Sequence, residues 1–239
     1  MTKSLIKTIS NKQMHTSLFK TFIKNVVLGK FTFLLFSLIL MTLIMPSMTE
    51  VKDHFVYAIF ASLIFVGSVY SILQNKKFLA ASIVFVTLSM VANWLLAIWP
   101  DHIIFQYCFL IQPLFMFYVF ILILDHILRS REVTADIIMG SICGYMILGI
   151  IFGMLFMFSA MLYEYAFSIP SSKLTQTDVF YLSFTTISTL GYGDITPKIA
   201  ITKSLCVLES VMGLFYMSTL VARLVGLQIA KSMKTHDEN

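Results

Sequence analysis

Two features of this sequence could carry chemistry. In Thr189-Leu190-Gly191-Tyr192-Gly193-Asp194, two glycines bracket a tyrosine, and Glu209 sits some ten residues into an otherwise apolar run near the C-terminus. Glycine enters the left-handed region of backbone space without penalty, so the first segment can hold a specialised loop. Alone, however, that pattern matches many turns. Glu209 is an ionisable group within an apolar stretch, which by default marks a functional site; at 1.5 Å per residue it lies roughly 15 Å down its helix. Neither feature implies covalent catalysis. The chain has no P-loop, no His-Glu zinc pattern and no hydrolase nucleophile elbow. Cys108, Cys143 and Cys206 all fall inside apolar runs, where a small thiol fills space. No disulfide framework, zinc site or enzyme active site follows from them.

The elements that must position these residues are membrane helices. Of the 239 residues, 58% are hydrophobic and 12% charged, and the mean hydropathy is +0.87, a composition no water-soluble surface carries. Six apolar stretches, Phe31–Met48, His54–Leu73, Phe78–Trp99, Ile103–Leu128, Ala135–Leu162 and Ile199–Leu227, each approach or exceed the roughly 20 residues a spanning helix needs. The expected fold is an all-α membrane protein with six transmembrane helices and no room for a second folded domain. Six crossings leave both termini on one side. Thirteen Lys and Arg fall on that side, at the N-terminus, Lys76, Lys77, Arg129, Arg131, Arg223, Lys231 and Lys234, against Lys52, Lys173, Lys198 and Lys203 on the other. The positive-inside rule then places both termini in the cytoplasm of a multi-pass cell-membrane protein. The net charge of +5 therefore reflects topology, not a nucleic-acid partner. Trp99, Tyr163 and Tyr165 suit the outer interface.

Six lysines occur within the first thirty residues, too long a basic lead for a cleaved signal peptide. Residues 1–29 read as a cytoplasmic segment in which Leu18, Phe19, Phe22, Ile23, Val26 and Val27 recur at helical spacing opposite Lys20 and Lys24. That pattern fits a helix on an anionic membrane surface, though an ordinary membrane-proximal lead-in without a regulatory role is the simpler reading.

The connection between the fifth and sixth spans runs about 36 residues, far longer than the others. Within it, Leu174 to Leu190 predicts a short helix: Thr177-Asp178 supply a cap and a first-turn acid, and Val179, Phe180, Leu182, Phe184 and Ile187 supply apolar surface. It is too short to cross, so it is expected to enter the membrane and return. Irregular backbone at that depth is tolerated only where it is buried in protein or lines water.

In this setting the Thr189 to Asp194 segment closely resembles the selectivity filter of tetrameric potassium channels. A threonine-containing re-entrant helix precedes it, Ile195-Thr196-Pro197 follows it, and a span flanks each side. The layout is similar to a six-span, voltage-gated-like channel of bacterial type. The resemblance implies a four-helix sensor-like domain over residues 30–128, a pore domain over 129–228 and a short cytoplasmic tail over 229–239. It also implies K+ ions held by the carbonyls of Thr189, Leu190, Gly191 and Tyr192 and by the Thr189 hydroxyl. A strand whose carbonyls all point inward replaces the ion's water, and aiming them alike needs alternating backbone handedness, hence Gly191 and Gly193. Leu190 replaces the commoner valine, with its side chain away from the ion. Tyr192 is altered in non-selective relatives, and its presence favours potassium over sodium. One chain supplies one filter strand, so a homotetramer is implied.

The resemblance assigns supporting roles as well. Asp194 sits at the outer mouth, where relatives hold it with an aromatic donor; Tyr181 matches that position, or else simply packs. Some relatives carry glutamate where this chain has Thr185, so any pairing behind the filter must differ. Gly213 aligns with an inner-helix hinge and serves bending or close packing. Glu209 either supports the filter's rear wall, makes conduction pH-sensitive, or is a neutral acid bonded to a neighbouring helix. Gly140-x-x-x-Gly144 and Gly149-x-x-x-Gly153 allow close helix approach, with span six or an adjacent helix as the expected partner.

The first four spans lack what a voltage sensor needs. A sensing helix carries arginines every third residue, each worth about 2.3 kcal/mol per 100 mV, yet Ile103 to Leu124 contains no Lys or Arg. Asp125 and Arg129 can pair at i, i+4, and Arg131-Glu132-Val133-Thr134 would be the lever into span five. Residues 229–239 leave no room for a ligand-binding domain. The expected function is passive, potassium-selective conduction, not gated by an S4-type sensor. A poorly selective cation channel, an ion-coupled carrier and a non-conducting regulatory subunit are the alternatives. Expected partners are further copies of the chain and membrane lipids, with a separate regulatory subunit left open.

Overall fold

A computed structural model describes residues 29–45, 53–72, 76–98, 111–169 and 174–237. The expected N-terminal surface helix, Trp99 and the start of the fourth span lie outside the described residues. Within them the chain forms α1 (Thr32–Ile44), α2 (Asp53–Ile72), α3 (Lys76–Ile98), α4 (Ile111–Arg129), α5 (Ala135–Leu162), β1 (Phe167–Ser168), α6 (Gln176–Ile187), β2 (Thr196–Pro197) and α7 (Ala200–Asp237). Among the described residues, three helical stretches are long and apolar enough to cross a membrane: Ile111–Arg129, Ala135–Leu162 and Ala200–Ala230. The apolar portions described for α1, α2 and α3 are shorter, Thr32–Ile44, Phe55–Ser71 and Ser82–Leu95.

Serines and threonines inside these apolar helices do not break them, because their hydroxyls bond back to the preceding turn. Ser62 donates to Ala58 O at 2.7 Å and Ser68 to Ile64 O at 2.8 Å, which satisfies each hydroxyl in the protein interior. The four N-terminal helices pack in sequence, α1 on α2, α2 on α3 and α3 on α4. Their interior is apolar, with Phe65 and Phe115 meeting edge to face at a centroid distance of 5.4 Å. One buried amide network crosses it: Asn93 Nδ2 donates to Ala58 O at 3.0 Å, and Gln112 Nε2 to Asn93 Oδ1 at 3.5 Å. Neutral groups thus stand on α4 along the stretch Ile111 to Leu124.

The link from α4 to α5 is only residues 130–134. Thr134 caps α5 by accepting from Ile137 N at 3.3 Å, and Asp136 places an acid in its first turn, where the helix dipole favours it. With so short a link, α4 packs back along α5 of its own chain, and α1 rests on α5 as well. α5 is the hub: α6 and α7 lie on it and on each other. α7 is the least buried of the long helices. It leaves Leu208, Leu214, Phe215 and Val221 exposed in the single chain, a contiguous kind of apolar surface that marks an interface or a lipid contact.

Candidate functional site

The loop Ser188 to Asp194 is held from three directions, and α6 is the first. α6 begins at Gln176 and is capped by Thr175 instead of the expected Thr177, while Asp178 lies in the first turn as expected. Thr175 Oγ1 accepts from Asp178 N at 3.3 Å, while Asp178 accepts from Thr175 N at 2.8 Å. This reciprocal capping box needs the acid three residues after the cap, so Asp178 serves at that third position and the cap moves to Thr175. Thr177 instead donates to Met45 O at 3.2 Å. The helix also ends earlier than Leu190, at Ile187, because Thr189 turns left-handed.

Positive φ recurs at every second residue: Thr189 at 61°, Gly191 at 50° and Gly193 at 81°. The glycines were readable as such positions; Thr189 was not, since a β-branched residue there is a genuine outlier. Thr185 explains how it is held. Its carbonyl accepts from both Leu190 N at 2.9 Å and Gly191 N at 3.1 Å, and Thr186 O accepts from Thr189 N at 3.0 Å. The Thr185 side chain is buried and donates to Leu182 O at 3.0 Å, so its contribution to the loop is made by its backbone. Leu190 and Tyr192 are 55% and 69% exposed in the single chain.

At the loop's exit, Tyr181 Oη donates to Asp194 Oδ2 at 2.8 Å, and the Tyr181 and Tyr192 rings stack 3° from parallel. The bond to Asp194 raises the Tyr181 phenol above its ordinary range. Asp194 Oδ1 accepts from Ile195 N at 3.0 Å. The chain then pairs β2 with β1, Thr196 opposite Ser168 and Pro197 opposite Phe167. Ala166 O accepts from Lys198 N at 2.9 Å and from Thr202 Oγ1 at 3.0 Å, which fixes the start of α7 relative to the end of α5.

Behind α6, a polar contact crosses three helices. Ser183 Oγ lies 2.6 Å from Gly149 O on α5 and within hydrogen-bond reach of Glu209 Oε1 on α7. A hydroxyl has one hydrogen, so Ser183 donates to only one of them at a time. Glu209 is fully buried, and its Oε2 has no hydrogen-bond partner in the single chain. Tyr145 Oη adds a second tie, donating to Ile187 O at 2.9 Å. Gly213 packs against the end of α6: a Cβ there would stand 2.6 Å from Ile187 Cγ1 and 3.1 Å from Ile187 O. Of the small-residue pairs, Gly149 and Gly153 receive Phe184 and Phe180 of α6, Gly140 receives Phe31 before α1, and only Gly144 meets span six, at Tyr216. Tyr216 Oη donates to Ser141 O at 2.8 Å.

Arg223, which the sequence offered only as a topological charge, binds the end of α4. Its Nε donates to Ile127 O at 3.1 Å, and its Nη2 to Ser130 O at 2.8 Å and to Leu128 O. Asp125 accepts from Arg129 Nε at 2.7 Å, as their spacing implies. Ser183, Tyr145 and the Thr185 carbonyl were likewise missed; a polar residue inside an apolar helix was the one available signal.

Among the described residues, no group of three or more His, Cys, Asp or Glu is placed to hold a metal ion. What the loop offers a cation is backbone oxygen. No curated protein and no solved structure matches the chain. Residues 142–227, from α5 through α6 and the loop into α7, match the family model described as Ion channel, and that match supports an ion channel.

Proposed function

We propose that the chain is one subunit of a homotetrameric, potassium-selective channel that passes K+ passively across the cell membrane. The observation that carries this reading is the alternation of positive φ at Thr189, Gly191 and Gly193, inside the segment that matches the ion-channel family. Alternating handedness aims successive carbonyls the same way, and four such strands form rings of oxygens that substitute for hydration water. In this reading the carbonyls of Thr189, Leu190, Gly191 and Tyr192, with the Thr189 hydroxyl, bind K+ as the transported ion. Gly193, Asp194, Tyr181, Thr185 and Glu209 support that strand. Support for a tetramer comes from the exposed strand and from the bare apolar face of α7 in the single chain.

Residues 129–228 form the pore unit and 30–128 a sensor-like unit that carries no S4-type charges. Both termini lie in the cytoplasm, as the distribution of Lys and Arg favours, and the protein is a conductor, not an enzyme. α6 points the negative end of its dipole toward its C-terminus at the loop, which favours a cation there.

Flux into liposomes tests the reading. Protein reconstituted with either a potassium or a sodium gradient is expected to pass potassium, to be blocked by barium and to lose selective flux in Gly191→Ala and Tyr192→Ala. Equal sodium flux would overturn selectivity. Absence of flux from an intact tetramer would favour a regulatory subunit.

A further inference from the structure

Between α4, α5 and α7 lies a cleft of about 310 Å³ that no part of the proposed conduction path uses. Its walls are apolar, with Phe120 and Leu124 from α4, Leu148 from α5 and Met212 and Leu220 from α7, and Arg223 closes one end. From Met212 to Arg223 the lining runs roughly 16 Å along α7, so the cleft is long and its single cation is terminal.

Among the described residues, no carboxylate neutralises Arg223. The partners of its Nε and Nη2 are the neutral carbonyls of Ile127, Leu128 and Ser130. Among the described residues no carboxylate lies within ion-pair distance of it, and its Nη1 makes no hydrogen bond. The guanidinium is therefore fixed in position by backbone and keeps both its charge and free donors. The mainly apolar walls suit a hydrocarbon chain, and a planar guanidinium with open donors binds phosphate oxygens well.

We propose that this cleft is a binding site for an anionic phospholipid, with one acyl chain along α7 and the phosphate on Arg223. Apolar length and terminal positive charge match the two parts of such a molecule; a neutral lipid would leave the charge unanswered. A lipid seated there touches both the end of α4 and the middle of the inner helix. The proposal rests on the chain spanning a bilayer, not on which ion it conducts.

Lipid binding is read directly, without ion flux, so its failure is distinguishable from failure of the channel reading. The full chain is placed in phosphatidylcholine vesicles, and association of trace spin-labelled phosphatidylglycerol is compared with that of spin-labelled phosphatidylcholine. A preference of about fivefold for the anionic lipid is expected. Arg223→Gln should remove the preference, Arg223→Lys should keep it, and Leu124→Trp, which fills the cleft, should displace the anionic lipid while leaving Arg223 in place. Equal binding of both lipids by the unaltered chain would overturn the proposal. So would a preference that survives Arg223→Gln, or a Leu124→Trp variant that binds as before, the result expected if a neighbouring subunit's helix fills the cleft.

Discussion

Tyr181 donates its hydroxyl to Asp194 at 2.8 Å, across thirteen residues of chain. The bond ties the exit of the loop to the helix that leads into it, and the same ring stacks on Tyr192. Removing only the hydroxyl, in Tyr181→Phe, keeps the stacking and frees Asp194. The potassium-to-sodium flux ratio is expected to fall by about threefold to tenfold. Tyr181→Trp, whose indole N–H is also a donor, should retain more of the ratio. Equal ratios in the phenylalanine variant and the unaltered protein would show that Tyr181 acts by packing alone.

Ser183 faces two acceptors, Gly149 O and Glu209 Oε1, with one hydrogen to give. The three oxygens in contact are all served if Glu209 carries a proton and donates to Ser183 while Ser183 donates to Gly149, which leaves Glu209 Oε2 as the one acceptor without a partner in the single chain. Glu209→Gln, which has a permanent donor, should therefore preserve thermal stability and flux. Glu209→Ala and Ser183→Ala should each cost about 1–3 kcal/mol in unfolding free energy, since a buried polar partner is left unsatisfied. A glutamine variant as impaired as the alanine variant would refute this hydrogen count.

Gly213 separates packing from bending. A methyl group there collides with Ile187, whereas at Gly226 it meets nothing within 4 Å. Gly213→Ala is expected to lower stability by about 1–3 kcal/mol, and Gly226→Ala to change it little. Removing the facing γ carbon, in Gly213→Ala combined with Ile187→Ala, should cost less than the sum of the two single variants. If Gly213→Ala melts normally in detergent but alters the open fraction, the residue is a hinge.

Voltage dependence of the S4 type should be weak or absent. The stretch of α4 from Ile111 to Leu124 carries no charge, and the Asp125 to Arg129 pair is exposed at its end. With no Lys or Arg between Ile111 and Leu124 to move through the field, the work an S4-type helix draws from about 2.3 kcal/mol per charge per 100 mV is absent. Planar-bilayer recordings from −100 to +100 mV are the check, and a steep sigmoidal activation curve would contradict it.

The membrane character of the chain was legible in its composition, because hydropathy is additive along a helix and needs no tertiary context. The special backbone at Gly191 and Gly193 was legible for a similar reason, since glycine's tolerance of positive φ is local. Thr189 shows the limit of that logic. Its left-handed φ depends on the Thr185 carbonyl gripping the next two amides, an arrangement no local preference of threonine foretells. The cap of α6 lies at Thr175 because a capping box is a reciprocal pair of bonds between residues three apart, a spacing Asp178 has with Thr175 and not with Thr177.

Long-range assignments depended on packing. Gly149 and Gly153 announced a close approach without naming Phe184 and Phe180 as what approaches. Glu209 announced a buried carboxyl without disclosing Ser183 as its partner, because the two are 26 residues apart and meet only when α6 folds back between α5 and α7. Arg223 looked like one more cytoplasmic cation; its hold on the end of α4 arises from a contact 93 to 96 residues distant in sequence. Local chemistry set which residues are exceptional. Which partners they found was settled by packing: α6 folding back between α5 and α7 joins Ser183 to Glu209, and the short link after α4 lays that helix along α5 and brings its C-terminal carbonyls to Arg223.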